Sequence, residues 1–489
     1  MTAKEGSDCM ATPRITLLSA EELQAIHDTS LKILRDVGVL VRSAQVLECL
    51  ALAGARVDRT SGIARFDEGT VLKAIETTTK QYAIYGRDGR RVARYGYGDQ
   101  NLISSPGQYA WFDHRTGERR TPLLQDATAA ATVADALPNV TIVGAMSVPG
   151  DVPPEVRDVV VTAELVKTTT KPAWCWPVSC RSSQYVLEIY KALAGGKNAL
   201  REKPMVEAFL EPISPLQLAP PSLDTVFEYI DHGQPVCVGP MAGVCGTGPA
   251  TLAGTLAQEN AEILAGIVTV QAIGPGTPMM YGGIPHILDP RKAAFVFSSP
   301  EQALMAVAMT EIGKHYGLPV YINVNLTDAK TMDAQAGMEK LGTLIPGMLA
   351  GADLFGHAGI VGQDHGGSLL WLVIDNEAVD FAKRVLRGFT IDADTLADSV
   401  IADVGPAGNY LMHEHTLRHH RKELWFPSTI WTRETFDAWQ ASGRDTVTDR
   451  AQRQVETILA EHRPEPMDPD LTKEIDRIVA AARRELTAV

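Results

Sequence analysis

No run of about twenty apolar residues occurs in the 489-residue chain, so no membrane-spanning helix is expected. Basic residues are in deficit, 45 Lys and Arg against 59 Asp and Glu, a net charge of −14. That balance excludes nucleic acid or an anionic membrane surface as main partner, since both need a concentrated basic face. The six cysteines (Cys9, Cys49, Cys175, Cys180, Cys237, Cys245) contain no CxxC pair and are read as free thiols of a reducing cytoplasm. The opening MTAKEGSDCMATPR lacks the apolar core of a secretory signal and reads as a short disordered lead. The glycine-rich pieces GPMAGVCGTGP and GPGTP lack the P-loop lysine, and GDQNLISSPGQ matches no nucleotide loop. Neither a nucleophile elbow nor HExxH is present.

What is present is core-forming material, 45% hydrophobic residues in a chain long enough for a large domain with extensions. Ser19 and Glu22 make a capping box before the stripe Leu23, Ile26, Ile33, Leu34, Val37, and further helices are expected near 43–54 and 67–79. Two hairpins follow, turning at Asp88-Gly89 and Thr116-Gly117. Residues 1–120 therefore read as a helical and hairpin cap. From 121 to 403 the pattern alternates between apolar strands and helices. The candidate strands are TIVGAMSV (141–148), AWCWPVS (173–179), PMVEAFLEPIS (204–214), PVCVGPMAG (235–243), TPMMYGGIP (277–285), PVYINVNL (319–326) and DLFGHAGIV (353–361). Such alternation indicates an α/β fold with a parallel sheet. Its evenness, and the absence of a dinucleotide turn after the first strand, favour a TIM (β/α)8 barrel over an open doubly-wound sheet. The eighth strand is expected near VIADVGPAGNYL. Residues 404–489 read as a charged, helical C-terminal extension.

In a parallel barrel the C-terminal ends of the strands carry the chemistry. Topology alone gathers there Glu211, Met241, Tyr281, Asn323, Asn325, Thr327, Asp328, Lys330 and His357. Trp174 and Trp176 flank Cys175; two apart on a strand, they point to opposite faces, one to a helix and the other toward a pocket. YAWFD adds Tyr109, Trp111 and Phe112, whose ring faces suit a quaternary ammonium or, equally, hairpin packing. TDAKTMDAQAGMEK (327–340) sets a lysine between Asp328 and Asp333 at a strand end. In HEHTLRHH, His415 and His419 share a helix face beside His413 and His420. No carboxylate or cysteine completes a ligand spacing there, and Arg418 and Arg421 oppose a cation, so no metal is expected.

Several of these stretches resemble a known family. LSAEELQAIHDTSLKILRDVGV, GARVD, LPNV, PISPL, MAGVCGTGPATLAGTLAQENAEILAG, TDAKTMDAQAGMEK, VIDNEAVDFAKRVLRG, HTLRHHR and WFP, in that order, are similar to the trimethylamine methyltransferase family, especially its members lacking pyrrolysine. The resemblance implies a TIM barrel and transfer of a methyl group from a methylated amine to the cobalt of a corrinoid, free or carried on a separate small protein. The founding members hold a pyrrolysine in the barrel mouth; here the resemblance implies Lys330 at its position. A quaternary ammonium leaves as a neutral tertiary amine and needs no such residue. A betaine is therefore the expected donor, glycine betaine foremost, among proline betaine, carnitine, γ-butyrobetaine and choline.

On this reading Tyr109, Trp111, Trp174 or Trp176, and Tyr281 face the ammonium. Glu211, Asn323 and Asn325 join the substrate contacts, and Lys330, His357 and Asp328 take the catalytic places, Lys330 meeting the carboxylate. The expected partners are a cognate corrinoid protein, the small quaternary amine and further copies of the chain. Three alternatives stay open: a zinc-dependent barrel, a betaine-binding or corrinoid-docking protein without turnover, and direct methyl transfer to a tetrahydrofolate.

Overall fold

A short apolar segment becomes a barrel strand when helices cover its outside and side chains from other strands cover its inside. Eight such segments run parallel in the computed structural model, which describes residues 10–11, 13–220, 222–428 and 430–488. They are β1 (Asn101–Ser104), β2 (Val143–Gly144), β3 (Ala173–Trp174), β4 (Ala208–Leu210), β5 (Val236–Val238), β6 (Met279–Gly283), β7 (Val320–Asn323) and β8 (Leu354–Ala358). A helix follows each: α1 (Leu124–Ala136), α2 (Arg157–Thr168), α3 (Cys180–Ala194), α4 (Ser222–Asp231), α5 (Leu252–Ile273), α6 (Pro300–His315), α7 (Ala334–Ala350) and α8 (Leu369–Arg387).

Ladders join β4 to β5, β6, β7 and β8 in turn, and β8 pairs with β1. A bridge between Ile103 and Ile142 carries β1 to β2, which pairs with β3. Among the described residues no ladder joins β3 to β4. The sheet is thus a TIM-like barrel that is not closed, and Pro172, Pro177 and Pro204 remove backbone donors near the gap. The eighth strand is not at VIADVGPAGNYL, where the chain forms the helix Asp398–Val404. It is NLIS, four residues buried on both faces and too short to show a period, inside the stretch read as cap.

Upstream of β1 the capping box is present. The Ser19 hydroxyl accepts the Glu22 N–H at 3.2 Å, and the Glu22 carboxylate accepts the Ser19 N–H at 2.8 Å, opening the helix Ala20–Asp36. Ser43 and Asp67 cap Ala44–Leu52 and Glu68–Thr77. All three helices pack on α5, which is buried nearly all round. The hairpin Tyr82–Tyr85/Arg91–Tyr95 fills the end of the barrel opposite the mouth: Tyr82, Ile84 and Tyr95 join Ile103, Ile142, Phe209, Cys237, Tyr321 and Leu354 in one apolar cluster. Buried Asp353 holds it there, accepting the Gly96 N–H at 2.9 Å and the Val320 N–H at 2.8 Å while pairing with Lys314.

The chain returns to the barrel wall at its far end. The helix Val447–Glu461 packs on α8 and α1, and Pro469–Leu486 packs on α3 and α2. Among the described residues no helix is long and apolar enough to cross a membrane. Cys9 and most of the N-terminal lead lie outside the described residues.

Candidate active site

At the mouth the strands deliver rings. Trp174 ends β3 and Trp176 follows it, with ring centroids 4.9 Å apart; Phe209 of β4 lies 5.9 Å from the first and 5.6 Å from the second. Tyr321 of β7 meets Phe209 edge-on at 6.2 Å, and the His357 ring of β8 meets Trp176 edge-on at 6.4 Å. Tyr321 Oη and His357 Nε2 are 2.9 Å apart, which fixes the two rings together. Trp174, Phe209, Tyr321 and His357, with Ile84, Ile103 and Cys237, line a narrow internal space of about 30 Å³. A wider groove of about 320 Å³, lined by Tyr109, Ser147, Arg157 and Trp176, meets it at the tryptophan pair.

Carboxyl groups border these rings. Asp364 follows β8 in a loop where Gln363 and Asp364 both have left-handed backbones, φ 60° and 62°. Two such residues in succession are strained, a condition that persists where the surroundings impose it, often at functional sites. Gln108 donates its amide to the Asp364 side chain and backbone carbonyl, and the Ser105 hydroxyl orients that amide by donating to its oxygen at 3.0 Å. Burial pushes the Asp364 carboxyl up to about 7, the Gln108 hydrogen bond opposes this, and the field of Glu211 adds to it. Glu211 keeps surface open to solvent, yet the surrounding walls raise its carboxyl as well.

Deeper in the barrel, burial holds Glu207 at about 7 against the pull of the Tyr82 hydroxyl, which donates to it at 2.7 Å, and of nearby Tyr95. His357 is pushed the other way, to about 3, by burial and by His286, so it is neutral throughout the physiological range. Among the described residues no lysine or arginine lines the enclosed space.

The predicted residues divide accordingly. Trp174, Trp176, His357 and Glu211 are gathered at the mouth. The two tryptophans do not point to opposite faces, because β3 ends at Trp174 and strand alternation ends with it. Tyr109 lies on the rim of the groove, 83% exposed, whereas Trp111 is 2% exposed and packed in the core. Tyr281 is fully buried between sheet and helices, its hydroxyl donating to Asn260 at 2.9 Å.

Asn323 is buried at the end of β7, its carbonyl accepting from Gln302 and its own Oδ1 without a partner. Asn325, also fully buried, has a left-handed backbone, and its carbonyl accepts from Lys340 at 3.0 Å. Asp328 accepts the Phe297 N–H at 3.1 Å and holds a loop rather than a ligand. Lys330 is exposed and donates to the carbonyl of Asp328 in its own loop at 2.6 Å, so it does not line the enclosed space.

Phe209, Tyr321, Glu207, Gln108 and Asp364 belong to this region without having been singled out. Phe209 and Tyr321 carry no signal within apolar strands, whereas Glu207, the one charged residue of PMVEAFL, was a usable sign. The polar QDHGG after β8 was a usable sign for Asp364.

Comparison with known proteins agrees with this architecture. A family model described as trimethylamine methyltransferase (MTTB) matches residues 7–487. The glycine betaine methyltransferase of Desulfitobacterium hafniense (strain Y51) is 31% identical over 482 residues, 97% of this chain and 98% of that protein. The trimethylamine methyltransferase MttB of Desulfitobacterium hafniense (strain DSM 10664 / DCB-2) is 30% identical over 476 residues, 96% of this chain and 94% of that protein. Among solved structures, the hydroxylamine complex of MtmB superimposes with a TM-score of 0.50 at 11% identity over 98% of this chain and 96% of that one, a likeness of fold alone.

Proposed function

The chain belongs to the trimethylamine methyltransferase family, and from that premise we propose that it moves a methyl group from a quaternary amine of the betaine type to the Co(I) of a corrinoid protein. The observation that carries the proposal is the wall of Trp174, Trp176, Phe209 and Tyr321 bordered by the carboxyl groups of Glu211 and Asp364. Ring faces attract a quaternary ammonium by their quadrupoles, and each such contact contributes roughly 0.5–2 kcal/mol. The head seats against the tryptophan pair, where Trp174 lines the internal space and Trp176 the wider groove.

The corrinoid, a co-substrate on its own protein, supplies a cobalt nucleophile that takes the methyl group as a cation equivalent. The amine then departs neutral and needs no proton. Neutral His357 suits that role: it positions Tyr321 and the rings and is not asked to act as an acid. The task of the chain is to orient the donor and exclude water.

Lys330 lines neither the internal space nor the wider groove, and its ammonium donates to its own loop. Protonated Asp364, held in place by the Gln108 amide, is the donor at hand, and the rise of its carboxyl to about 7 makes that proton available at neutral pH. The affinity for a betaine then weakens as pH rises through about 7 and the carboxyl ionises. The affinity for choline, which has no carboxylate, strengthens over the same range.

The test is loss of Co(I) absorbance when the protein is mixed with reduced cobalamin and a panel of methylated amines. We expect methylcobalamin with a betaine and none with trimethylamine. Trp176→Ala is expected to raise KM about 2- to 30-fold, the equivalent of one cation–π contact. Calorimetric binding of a betaine without methyl transfer would overturn the catalytic reading, and transfer from trimethylamine at an equal rate would overturn the substrate class.

A further inference from the structure

Outside the barrel mouth, three side chains of the C-terminal extension converge on one point. We propose that Asp394, His415 and His419 form a site for a divalent transition metal of borderline softness, Zn2+ foremost. His415 and His419 stand one turn apart on the helix Glu414–Glu423, their rings stacked with centroids 4.2 Å apart and planes at 28°. Asp394 comes from the short helix Ala393–Leu396 and sets Oδ2 3.0 Å from His419 Nε2. One ligand atom from each residue lies within 4.8 Å of the others.

Tetrahedral zinc with bonds near 2.0–2.1 Å needs ligand atoms about 3.3 Å apart, so small rotations about the side-chain bonds close the set. Nε2 of His419 is buried and has no well-directed hydrogen-bond partner, despite the nearby carboxylate. A buried ring nitrogen left in this state is costly, and a metal ion would satisfy it.

Two features compete with the ion. Arg418 reaches Asp394 Oδ1 at 3.3 Å, but that pair is half-exposed and weak, and it leaves Oδ2 free. His415 Nε2 lies 3.2 Å from the Asp394 carbonyl and must turn from it to ligate. Two imidazoles and one carboxylate select zinc over magnesium or calcium, which prefer all-oxygen sites. With three protein ligands the fourth position falls to water. The bound ion would staple the helix Glu414–Glu423 to Ala393–Leu396, so binding couples to the stability of this segment. Glu414 within HEHTLRHH does not join the two histidines; the third ligand lies on another helix, 21 residues before His415.

The full chain, stripped with a chelator, is titrated with Zn2+ by calorimetry, with Mg2+ as control. We expect one equivalent of Zn2+ bound, no heat with Mg2+, and a rise in Tm on Zn2+ addition. His419→Ala and the milder Asp394→Asn are expected to weaken binding roughly 10- to 100-fold or more and to remove the Tm rise. Circular dichroism of each metal-free variant checks that it folds, and Asp394→Asn carries the test if His419→Ala does not. Failure of the wild-type protein to bind Zn2+, or undiminished binding by a folded variant, would overturn the site.

Discussion

Asp364 is the residue whose ionisation state matters most at the mouth. Its carboxyl is raised from 3.8 to about 7, chiefly by burial. The folded state therefore holds this proton more tightly than the unfolded chain, and stability falls as pH rises between those two values. A tenfold change in proton affinity corresponds to about 1.4 kcal/mol, so the loss by pH 8 is on the order of 2–4 kcal/mol. Asp364→Asn keeps the shape and removes the charge. It should raise Tm at pH 8 relative to the wild type and leave Tm near pH 4 almost unchanged. Thermal melts of both proteins at the two pH values check this, and taking their difference cancels the similar titration of Glu207. An equal Tm at pH 8 would show that Asp364 is not held protonated.

The loop TDAKTMDAQAGMEK is an element organised by its last residue. Lys340, fully enclosed on α7, pairs with buried Asp375 at 2.8 Å and donates to the Asn325 carbonyl at 3.0 Å. Asp375 also accepts the Gly359 N–H at 2.7 Å, so one ion pair ties the ends of β7 and β8 to α7 and α8. Thr327 and the N–H of Asp328 bind Glu339 at 2.6 and 2.8 Å, closing the loop on the same helix. Removing one partner of a buried pair leaves an uncompensated charge. Lys340→Met should cost about 3–5 kcal/mol in urea unfolding, whereas Lys330→Ala should stay within about 0.5 kcal/mol. Equal midpoint shifts for the two variants would contradict this assignment.

The whole molecule is a barrel wrapped by both ends of its own chain. The last helix, Pro469–Leu486, buries Ile475 and Ala482 against the α2 and α3 layer and packs Leu471, Ile478 and Val479 at the edge. Full burial of an aliphatic side chain contributes about 1.5–3 kcal/mol. Deleting residues 469–489 should therefore lower stability by several kcal/mol and expose apolar surface on α3, next to the strand that carries the tryptophans. The measurement is Tm with dye binding. An unchanged Tm would mean that the extension is an independent appendage.

Seven of the eight strands, the first three helices, the cap of the first and both hairpins were legible in the sequence, because each is set by local periodicity or by turn and cap chemistry. Trp176 and His357 were legible as mouth residues for the same reason, lying at the ends of recognisable strands. The rest depended on neighbours distant in the chain. NLIS is a strand only because β8 pairs with it, and Tyr281 and Trp111 are core only because helices and hairpins cover them. Lys330 and Lys340 differ in sequence by ten positions and in burial by nearly everything, since Asp375 lies opposite only one of them. The charge state of Asp364 comes from burial and from Glu211, a residue 153 positions away. Local pattern determined the elements, and long-range packing decided which side chains share a space and which of them keep their charge.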